Sequence, residues 1–533
     1  MPTPLALDAL ILERAGAGPD RPLFAFPHPV GLVPAGEFAE LAGRAAASLA
    51  ALGVGPGDRV AVWAENGLPW LVLLAGAAWR GATLVTLHPG SGGKDLADAL
   101  RRAAPAVLFA ASRIRDVPTA EPLGRLAHLL PGTDRVVAFD QDRGRDALRG
   151  LPGWDDPAPP PALDRDAPLN IQFTSGSTGP PKMVALTSAS LVRNARWTAE
   201  AAGIGAADRI ASPLPLAHAA GLGSGAVLAL VTGALWASPR RFRPDGVLDQ
   251  IVRHRCTVLQ AVPTMAAMLA ERVEAEPGRW DLSSLRLGFL GGAFCGPDLL
   301  ARAGRALGLE RVAVVYGQTE AGPTISLDPD AGPRGRSGGV GRPLPGVEVR
   351  VVRPGTETPV PAGREGELLV RSGSLAAGYA DDPAATAAAF LPGGWLRTGD
   401  RARLEDGGVL VLAGRLKDLI IRGGENVGPA EVEDALLERP EIGRACVVGV
   451  PSPRWGEEVG ALVVPAGDAA VDPAAVAAGV AARLARHKVP TLIRVVGELP
   501  LLPNGKVDVR AARALLAAGP AAGPAAGQAG GTP

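Results

Sequence analysis

Strand-like and helix-like segments alternate through the first 150 residues of the chain, and this pattern constrains the fold more than any other feature. Short apolar runs rich in β-branched residues predict buried strands, and longer apolar stretches predict helices. In order, we predict a strand at 59–64, a helix at 69–79, a strand at 82–87, a helix at 95–103 and a strand at 106–110. Because strand–helix–strand units return the chain to the same end of a sheet, the alternation predicts an α/β fold with largely parallel sheets.

The texture of the sequence changes twice further along the chain. From about residue 347, short β-rich segments are separated by Gly and Pro turns, which predicts a β-rich subdomain. A smaller α+β unit follows Lys417, and the low-complexity tail at 517–533 is expected to be disordered. A chain of 533 residues is too long for one core. We therefore predict a large N-terminal domain over 1–416 and a small C-terminal domain over 418–516.

The charge balance and the cysteines exclude some functions. Basic and acidic side chains number 54 each. The chain therefore lacks the excess of positive charge that would indicate nucleic acid or an anionic membrane as a partner. Cys256, Cys295 and Cys446 match no zinc spacing, and their apolar neighbours predict buried, reduced thiols. Reduced thiols are typical of the cytoplasm, so we expect a cytoplasmic protein. No secretory signal is recognisable at 1–16, and the Ala, Gly and Pro bias is typical of GC-rich bacterial genomes.

The uncharged run at 219–238 is long enough to span a bilayer. It contains several glycines, ends in a strand-like segment and lacks an aromatic belt. We therefore predict a buried helix and strand here, and no membrane span.

A Gly/Ser/Thr-rich loop follows the strand predicted at 170–173 and is the strongest functional signal in the sequence. Glycines let backbone N–H groups approach an anion, hydroxyls donate to phosphate oxygens, and a lysine adds a mobile positive charge. A Walker A loop requires Gly-Lys-Ser/Thr, whereas Lys182 lies between Pro181 and Met183, so that interpretation fails. The alternative is a flexible surface turn. The predicted phosphate-binding residues are Thr174, Ser175, Gly176, Ser177, Thr178, Gly179 and Lys182.

This loop resembles the ATP loop of the acyl-adenylate-forming (ANL) superfamily, which includes acyl-CoA synthetases, peptide-synthetase adenylation domains and firefly luciferase. Family members commonly have Gly after the lysine and Thr-His shortly beyond, whereas this chain has Met183 and Thr187-Ser188. The resemblance implies an enzyme that uses ATP and Mg²⁺ to activate a carboxylic acid as an acyl-adenylate. It also implies that the small C-terminal domain is mobile.

The motif Tyr316-Gly-Gln-Thr-Glu320 follows a strand predicted at 311–315, which places it at the carboxyl end of a parallel sheet, where α/β folds bind ligands. By resemblance, Tyr316 stacks on adenine, Thr319 contacts the α-phosphate and Glu320 holds Mg²⁺, with Gly317 beside them. An aromatic face suits a purine, and a carboxylate suits a hard cation that bridges phosphates. The alternative for Tyr316 is a core aromatic residue.

Two further motifs resemble nucleotide-binding elements of the family. Gly291, Gly292 and Ala293 follow a strand predicted at 285–290 and resemble the turn that borders the adenine and the acyl group; an ordinary strand-to-helix turn is the alternative. Asp400, in Trp395-Leu-Arg-Thr-Gly-Asp400, resembles the residue that accepts hydrogen bonds from the ribose hydroxyls.

The C-terminal motifs complete the resemblance, which covers roughly residues 45–509. Arg415 is expected to contact ribose or phosphate, and Lys417 to be the hinge between the domains. Gly423 and Gly424 are expected to line the tunnel for the CoA thiol arm, where a Cβ would leave no room. Lys506, in Pro500-Leu-Leu-Pro-Asn-Gly-Lys506, matches the lysine that reaches the carboxylate and α-phosphate during adenylation.

The segment at 213–222 resembles the border of the acyl pocket, with His218 near the substrate carboxylate. A satisfied core histidine is the alternative. The predicted pocket residues are His218, Gly221, Gly291, Gly292, Ala321 and Gly322. Amino-acid-activating relatives place an aspartate near this region, and none lies between 213 and 230, so we expect a neutral fatty, aromatic or alicyclic acid.

The acceptor is predicted to be coenzyme A, because Arg422-Gly-Gly-Glu-Asn426 and Trp455-Gly-Glu457 resemble CoA ligases. A free-standing ligase that loads a carrier protein is the second hypothesis. A nucleotide-binding regulator without catalysis is the third, and the presence of both Lys182 and Lys506 disfavours it. The sequence leaves the oligomeric state open.

Overall fold

In the computed structural model, the described residues are 6–129, 135–157, 166–174, 181–293, 295–328, 339–422, 425–467, 469–502 and 507–518. They divide into two compact units. The first contains the described residues up to Thr398 together with Ala402–Leu412, and the second contains Gly399–Arg401 together with those from Ala413 onward.

The helices of the described residues fall mostly between strands, as the alternation predicted. In chain order they are α1 (Leu7–Ala17), α2 (Ala35–Ala51), α3 (Leu68–Arg80), α4 (Gly93–Ala103), α5 (Ala120–Leu126), α6 (Ser188–Ala202), α7 (Leu228–Thr232), α8 (Pro244–His254), α9 (Pro263–Ala275), α10 (Pro297–Ala306), α11 (Pro383–Ala389), α12 (Pro429–Leu437), α13 (Pro473–Ala481) and α14 (Val509–Ala517).

The strands of the first half of the chain belong mainly to two large sheets. They are β1 (Pro22–Phe26), β2 (Gly31–Pro34), β3 (Arg59–Trp63), β4 (Thr83–Leu87), β5 (Val107–Ala111), β6 (Arg113–Ile114), β7 (Val117–Pro118), β8 (Val136–Phe139), β9 (Pro168–Thr174), β10 (Lys182–Thr187), β11 (Arg209–Ala211), β12 (Leu235–Ala237) and β13 (Val258–Ala261).

The remaining described strands are β14 (Leu287–Gly291), β15 (Arg311–Tyr316), β16 (Ser326–Asp328), β17 (Arg342–Pro343), β18 (Val347–Val352), β19 (Gly366–Ser372), β20 (Gly378–Tyr379), β21 (Phe390–Leu391), β22 (Trp395–Leu404), β23 (Leu410–Arg415), β24 (Ile420–Arg422), β25 (Glu425–Val427), β26 (Ile442–Ser452), β27 (Gly456–Pro465) and β28 (Leu492–Val495).

A seven-stranded sheet has the order β20-β10-β9-β4-β3-β5-β8. Its strands from β9 to β8 are parallel, whereas β10 runs antiparallel to both β9 and β20. Strands β4 and β5 are buried along their whole length, and neither carries a charged side chain. The predicted βαβ units are thus confirmed.

A nine-stranded sheet has the order β17-β16-β15-β14-β13-β11-β12-β1-β2, and its central strands from β15 to β1 are parallel. The large aromatic residues Phe24 and Trp236 are fully buried in the core beside this sheet. A third sheet, β18-β19-β22-β21 with β23 paired to β22, accounts for the β-rich texture after residue 347.

The uncharged run at 219–238 forms a π-helix at Ala220–Val227, then α7 and the buried strand β12. This confirms the predicted helix and strand. In the described part of the chain, no helix is long and apolar enough to cross a membrane.

The second unit contains a sheet of order β25-β24-β27-β26, with β28 parallel to β27. Helices α12 and α13 pack on one group of apolar residues, and α14 packs on another. Of the three thiols, Cys256 and Cys446 are buried as predicted, whereas Cys295 is half-buried.

Candidate active site

The phosphate loop connects two antiparallel strands of the seven-stranded sheet. Thr174 ends β9, Lys182 begins β10, and the two residues pair directly across the ladder. The guanidinium of Arg102, in α4, donates a hydrogen bond to the carbonyl of Pro181. The predicted loop residues Ser175, Gly176, Ser177, Thr178 and Gly179 lie outside the described residues.

A second predicted group lies at the carboxyl edge of the nine-stranded sheet. Gly291 ends β14 and pairs with Val315 of the parallel strand β15, so Gly292 and Tyr316 follow at the same edge. A Cβ on Gly291 would lie 2.4 Å from the Val315 carbonyl oxygen, so close strand approach alone requires this glycine. That requirement supports the alternative of a structural turn. Ala293 continues from Gly292 at this edge.

Tyr316 ends β15 and is buried within the main core, so its stacking on adenine stays a prediction. Gly317 follows, and Thr319 and Glu320 lie in a single 3₁₀ turn that ends at Ala321. A Cβ on Gly317 would lie 2.1 Å from the Pro323 carbonyl oxygen, which requires glycine after the tyrosine.

Tyr379 contacts both motifs that are predicted to bind the phosphates. The ammonium of Lys182 lies 4.3 Å from the centroid of the Tyr379 ring, within the range of a cation–π interaction. The Tyr379 hydroxyl donates a hydrogen bond to Oε1 of Glu320 at 3.0 Å. Burial, reinforced by the Glu320 charge, raises the pKa of the Tyr379 hydroxyl, which therefore stays a donor.

Backbone hydrogen bonds from the segment at 374–380 fix this arrangement. The N–H of Ala376 donates to the carbonyl of Glu320, and the N–H of Ala377 donates to the carbonyl of Ala185 in β10. The Ser374 hydroxyl donates to the Ala321 carbonyl, next to Gly322. One short segment is thus attached to both the strand that carries Lys182 and the turn that carries Glu320.

The predicted pocket residue His218 begins the turn that leads into the π-helix at Ala220–Val227. Its ring lies 5.4 Å from that of His88, centroid to centroid. A Cβ on Gly221 would lie 2.1 Å from the Pro215 carbonyl oxygen, so the tight turn around His218 requires glycine at this position.

His88 directly follows β4, at the carboxyl edge of the seven-stranded sheet. Its Nδ1 accepts a hydrogen bond from the N–H of Gly90 at 2.9 Å, so the neutral ring carries its proton on Nε2. Burial and the positive charge of Arg115 lower the pKa of His88 to about 4. Its Nε2 is buried and has no hydrogen-bond partner among the described residues.

Asn66 fixes the segment that leads to His218. Its amide nitrogen donates to the Leu214 carbonyl at 2.9 Å and to the Ser238 hydroxyl at 3.0 Å, and its oxygen accepts from the Leu216 N–H at 2.8 Å. Asn66 follows β3 of one sheet, while Leu214 and Leu216 follow β11 of the other. The carboxyl ends of the two sheets are therefore linked at this side chain.

The second unit contains the predicted ribose residue. The buried carboxylate of Asp400 forms an ion pair with Arg415, with Oδ1 and Nε 3.1 Å apart. Lys417 lies exposed in a 3₁₀ turn at Leu416–Asp418. The predicted residues Gly423, Gly424 and Lys506 lie outside the described residues.

Three residues of this region were missed by the sequence-based site prediction: Tyr379, His88 and Asn66. Each had a weak signal. Tyr379 is one of only two tyrosines in the chain and falls in a segment that resembles the family, and His88 and Asn66 are polar residues that follow buried strands. A polar residue after a buried strand is common, so pairing across the fold was needed to single them out.

Comparison with known proteins identifies the class. Residues 13–380 match the family model of AMP-binding enzymes, and residues 431–506 match that of the AMP-binding enzyme C-terminal domain. The chain therefore belongs to the AMP-binding enzymes of the acyl-adenylate-forming superfamily, in the acyl-CoA ligase branch. The predicted family is confirmed.

Individual relatives agree with this assignment. The chain is 35% identical over 505 residues to a sulfoacetate–CoA ligase of Cupriavidus necator, covering 94% of this chain and 96% of the relative. It is 35% identical over 477 residues to a feruloyl-CoA synthase of an Amycolatopsis species, covering 88% of this chain and 91% of the relative. The ATP-bound structure of MatB from Rhodopseudomonas palustris superposes with a TM-score of 0.84 at 27% identity, covering 96% of this chain and 99% of MatB.

Proposed function

We propose that this chain is an AMP-forming acid–CoA ligase that activates a carboxylic acid as an acyl-adenylate and transfers the acyl group to coenzyme A. The observation that carries the proposal is the contact of Tyr379 with both Lys182 and Glu320, because it joins the phosphate loop to the Tyr316–Glu320 motif in one site. Family membership supports the same reaction.

The first step joins two anions, so the protein must neutralise charge and align the reacting groups rather than transfer a proton. A carboxylate oxygen attacks the α-phosphorus of ATP, the bond to the β-phosphate oxygen breaks, and pyrophosphate leaves. Lys182 supplies positive charge at the phosphates, and Thr319 orients the α-phosphate. Lys506 is assigned the second positive charge, between the carboxylate and the α-phosphate.

The second step forms the thioester. The sulfur of coenzyme A attacks the acyl carbon, the bond to the phosphate oxygen breaks, AMP leaves, and the thiol proton passes to solvent. We assign Lys417 as the hinge about which the C-terminal domain rotates between the two steps. Gly423 and Gly424 are assigned to the lining of the tunnel for the thiol arm. Asp400 and Arg415 are assigned to the ribose and phosphates.

Magnesium fits the residues present. No group of three or more potential ligands occurs among the described residues, so the chain provides no complete metal cage there. A Mg²⁺ ion bound with ATP needs only one or two protein carboxylates in addition to phosphate oxygens and water. Glu320, oriented by Tyr379, is that carboxylate, and the bound ion would supply positive charge to the phosphates.

The acid is proposed to be neutral apart from its carboxylate: fatty, aromatic or alicyclic. The segment at 213–230 contains no aspartate to bind an ammonium group, and His88 and Gly221 offer no charge. The feruloyl-CoA synthase relative is named for an aromatic acid. The sulfoacetate–CoA ligase relative is named for an acid with a second anionic group, which makes such acids the rival class.

The acceptor is proposed to be coenzyme A, and a separate carrier protein is the alternative acceptor. The Trp455-Gly-Glu457 sequence supports coenzyme A by resemblance. A cytoplasmic location and a bacterial source stay predictions from the sequence.

The test is pyrophosphate exchange with a panel of fatty, aromatic, alicyclic and sulfonated acids, followed by detection of the CoA thioester. Exchange with a neutral acid and formation of its thioester are expected. Exchange without any CoA thioester would favour carrier loading, and absence of exchange with every acid would favour a non-catalytic nucleotide binder.

Lys506→Ala separates the two half-reactions. The variant should lose adenylation and keep thioester formation from synthetic acyl-adenylate, because Lys506 is assigned to the first step only. The control is Lys488→Ala, since Lys488 belongs to the same unit and is paired with Glu431 at 2.6 Å. It should retain both half-reactions; equal loss of both in Lys506→Ala would contradict the assignment.

A further inference from the structure

Tyr379 contacts the cation of the phosphate loop through its ring and the carboxylate of the neighbouring motif through its hydroxyl. We propose that Tyr379 is a positioning residue for Mg²⁺-bound ATP: its ring holds Lys182 and its hydroxyl orients Glu320. The inference deepens the proposed function and rests on its assignment of Lys182 and Glu320 to the nucleotide site.

The position of the ring follows from strand register. Strand β20 pairs antiparallel with β10, with Tyr379 opposite Val184 and Gly378 opposite Ala185. Side chains two residues apart on a strand share a face, so Lys182 is a diagonal neighbour of Tyr379. The N–H of Tyr379 donates to the Thr386 hydroxyl at 2.9 Å, which anchors the short strand on its other side. The cation–π contact is therefore built into the sheet.

The chemistry of the two contacts suits a site that must receive ATP. Within the described residues, neither Lys182 nor Glu320 is compensated by an oppositely charged side chain. A neutral aromatic partner holds the ammonium without cancelling its charge. A hydroxyl donor likewise orients one carboxylate oxygen and leaves the other oxygen for a metal ion. If the two charges met directly, ATP and Mg²⁺ would have to break that ion pair.

The two contacts can be separated by substitution. Tyr379→Phe keeps the ring over Lys182 and removes the hydrogen bond to Glu320, whereas Tyr379→Leu removes both. The matched control is Phe390→Leu, because Phe390 packs edge-on against the Tyr379 ring at 5.7 Å and contacts neither charge. A purely structural role of Tyr379 would make the control behave like the Tyr379 variants.

The measurement is calorimetric binding of ATP to the full chain without acid, once with excess EDTA and once with excess Mg²⁺. The ratio of the two Kd values gives the affinity gained from the metal. Tyr379→Phe should lower this ratio about tenfold, as loss of a hydrogen bond to a metal-binding carboxylate typically does, and change the Kd in EDTA less than about twofold. Tyr379→Leu should also weaken ATP binding in EDTA by roughly three- to tenfold.

Phe390→Leu should keep both Kd values. A wild-type ratio in Tyr379→Phe, or a ratio near one in the wild type, would overturn the proposal. So would equal changes in Phe390→Leu and the Tyr379 variants. Binding is measured apart from catalysis: a wild type that gains affinity from Mg²⁺ but shows no exchange would refute the proposed function and leave the role of Tyr379 supported.

Discussion

The imidazole rings of His88 and His218 lie 5.4 Å apart, tilted by 55°, although each residue follows a strand of a different sheet. His218 was predicted from its motif, and His88 was not. The contact places a second, neutral imidazole beside the residue assigned to the substrate carboxylate. Its unpartnered, buried Nε2–H is a donor that an acyl substrate could use.

His88 should remain neutral throughout the physiological pH range. Burial and Arg115 lower its pKa from 6.5 to about 4, so its contribution to stability is present above pH 6.5 and is lost as pH falls through about 4. In proton NMR of ring resonances, the signal lost in His88→Phe should titrate near pH 4 and not near 6.5. A midpoint near 6.5 would show that the ring is solvated or paired with an acidic group.

His88→Phe should lower kcat/KM for the acid by roughly tenfold, the effect of losing one hydrogen bond in a buried site. The Kd for ATP should change little, because the ring contacts of His88 within the described residues are with Gly90 and His218, and neither residue is assigned to the nucleotide. The control is His254→Phe: His254 is buried at the end of α8, and its carbonyl accepts a hydrogen bond from Arg209, which begins β11 at the amino edge of the nine-stranded sheet. Steady-state kinetics that show equal losses in both variants would assign His88 to packing alone.

Asn66→Ala should destabilise the first unit by about 3 kcal/mol, because three buried hydrogen bonds of about 1 kcal/mol each are lost. It should also raise the KM for the acid, since these bonds fix the segment before His218. Thermal unfolding and steady-state kinetics measure the two effects. Asn170→Ala is the control: Asn170 is buried within one sheet and donates to the Leu84 carbonyl, so this variant should unfold earlier without the change in KM.

Sequence patterns were sufficient for most of the fold. Strands β3, β4 and β5 and helix α3 lie within one or two residues of their predicted ranges, because long apolar periodicity reflects burial that the structure retains. The π-helix at Ala220–Val227 was not predicted. Hydrogen-bond spacing within a helix leaves little trace in apolar periodicity.

Site residues could be predicted from the sequence only where they stand in a local motif. Lys182, Tyr316 and Glu320 stand in recognisable local patterns. The contact of Tyr379 with Lys182 depends on the register between β10 and β20, whose pairing joins distant parts of the chain. The links made by Asn66 depend on how two sheets meet. Such relationships are tertiary, so no local pattern encodes them.

The second unit should lose stability as pH rises, through Glu433. Burial raises the pKa of this carboxyl from 4.5 to about 7, and the charges of Asp434 and Asp418 act in the same direction, while a hydrogen bond from the Val447 N–H at 2.8 Å opposes them. The folded unit therefore binds a proton that the unfolded chain releases. The contribution to stability is complete below pH 4.5 and is lost as pH rises through about 7.

Glu433→Gln should remove this dependence, because its amide oxygen can still accept from Val447 without a charge. The buried thiol of Cys446 in β26 reports unfolding of the second unit, so labelling of Cys446 across a urea series, read by mass spectrometry, is the measurement. The variant should need more urea than the wild type at pH 8 and about the same at pH 5. Glu441→Gln is the control, because a hydrogen bond from its own backbone N–H and the ion pair with Arg439 lower the pKa of the Glu441 carboxyl, so this variant should gain no stability at pH 8. If Glu433→Gln gained nothing at pH 8 either, the carboxylate of Glu433 would be solvated in the folded unit.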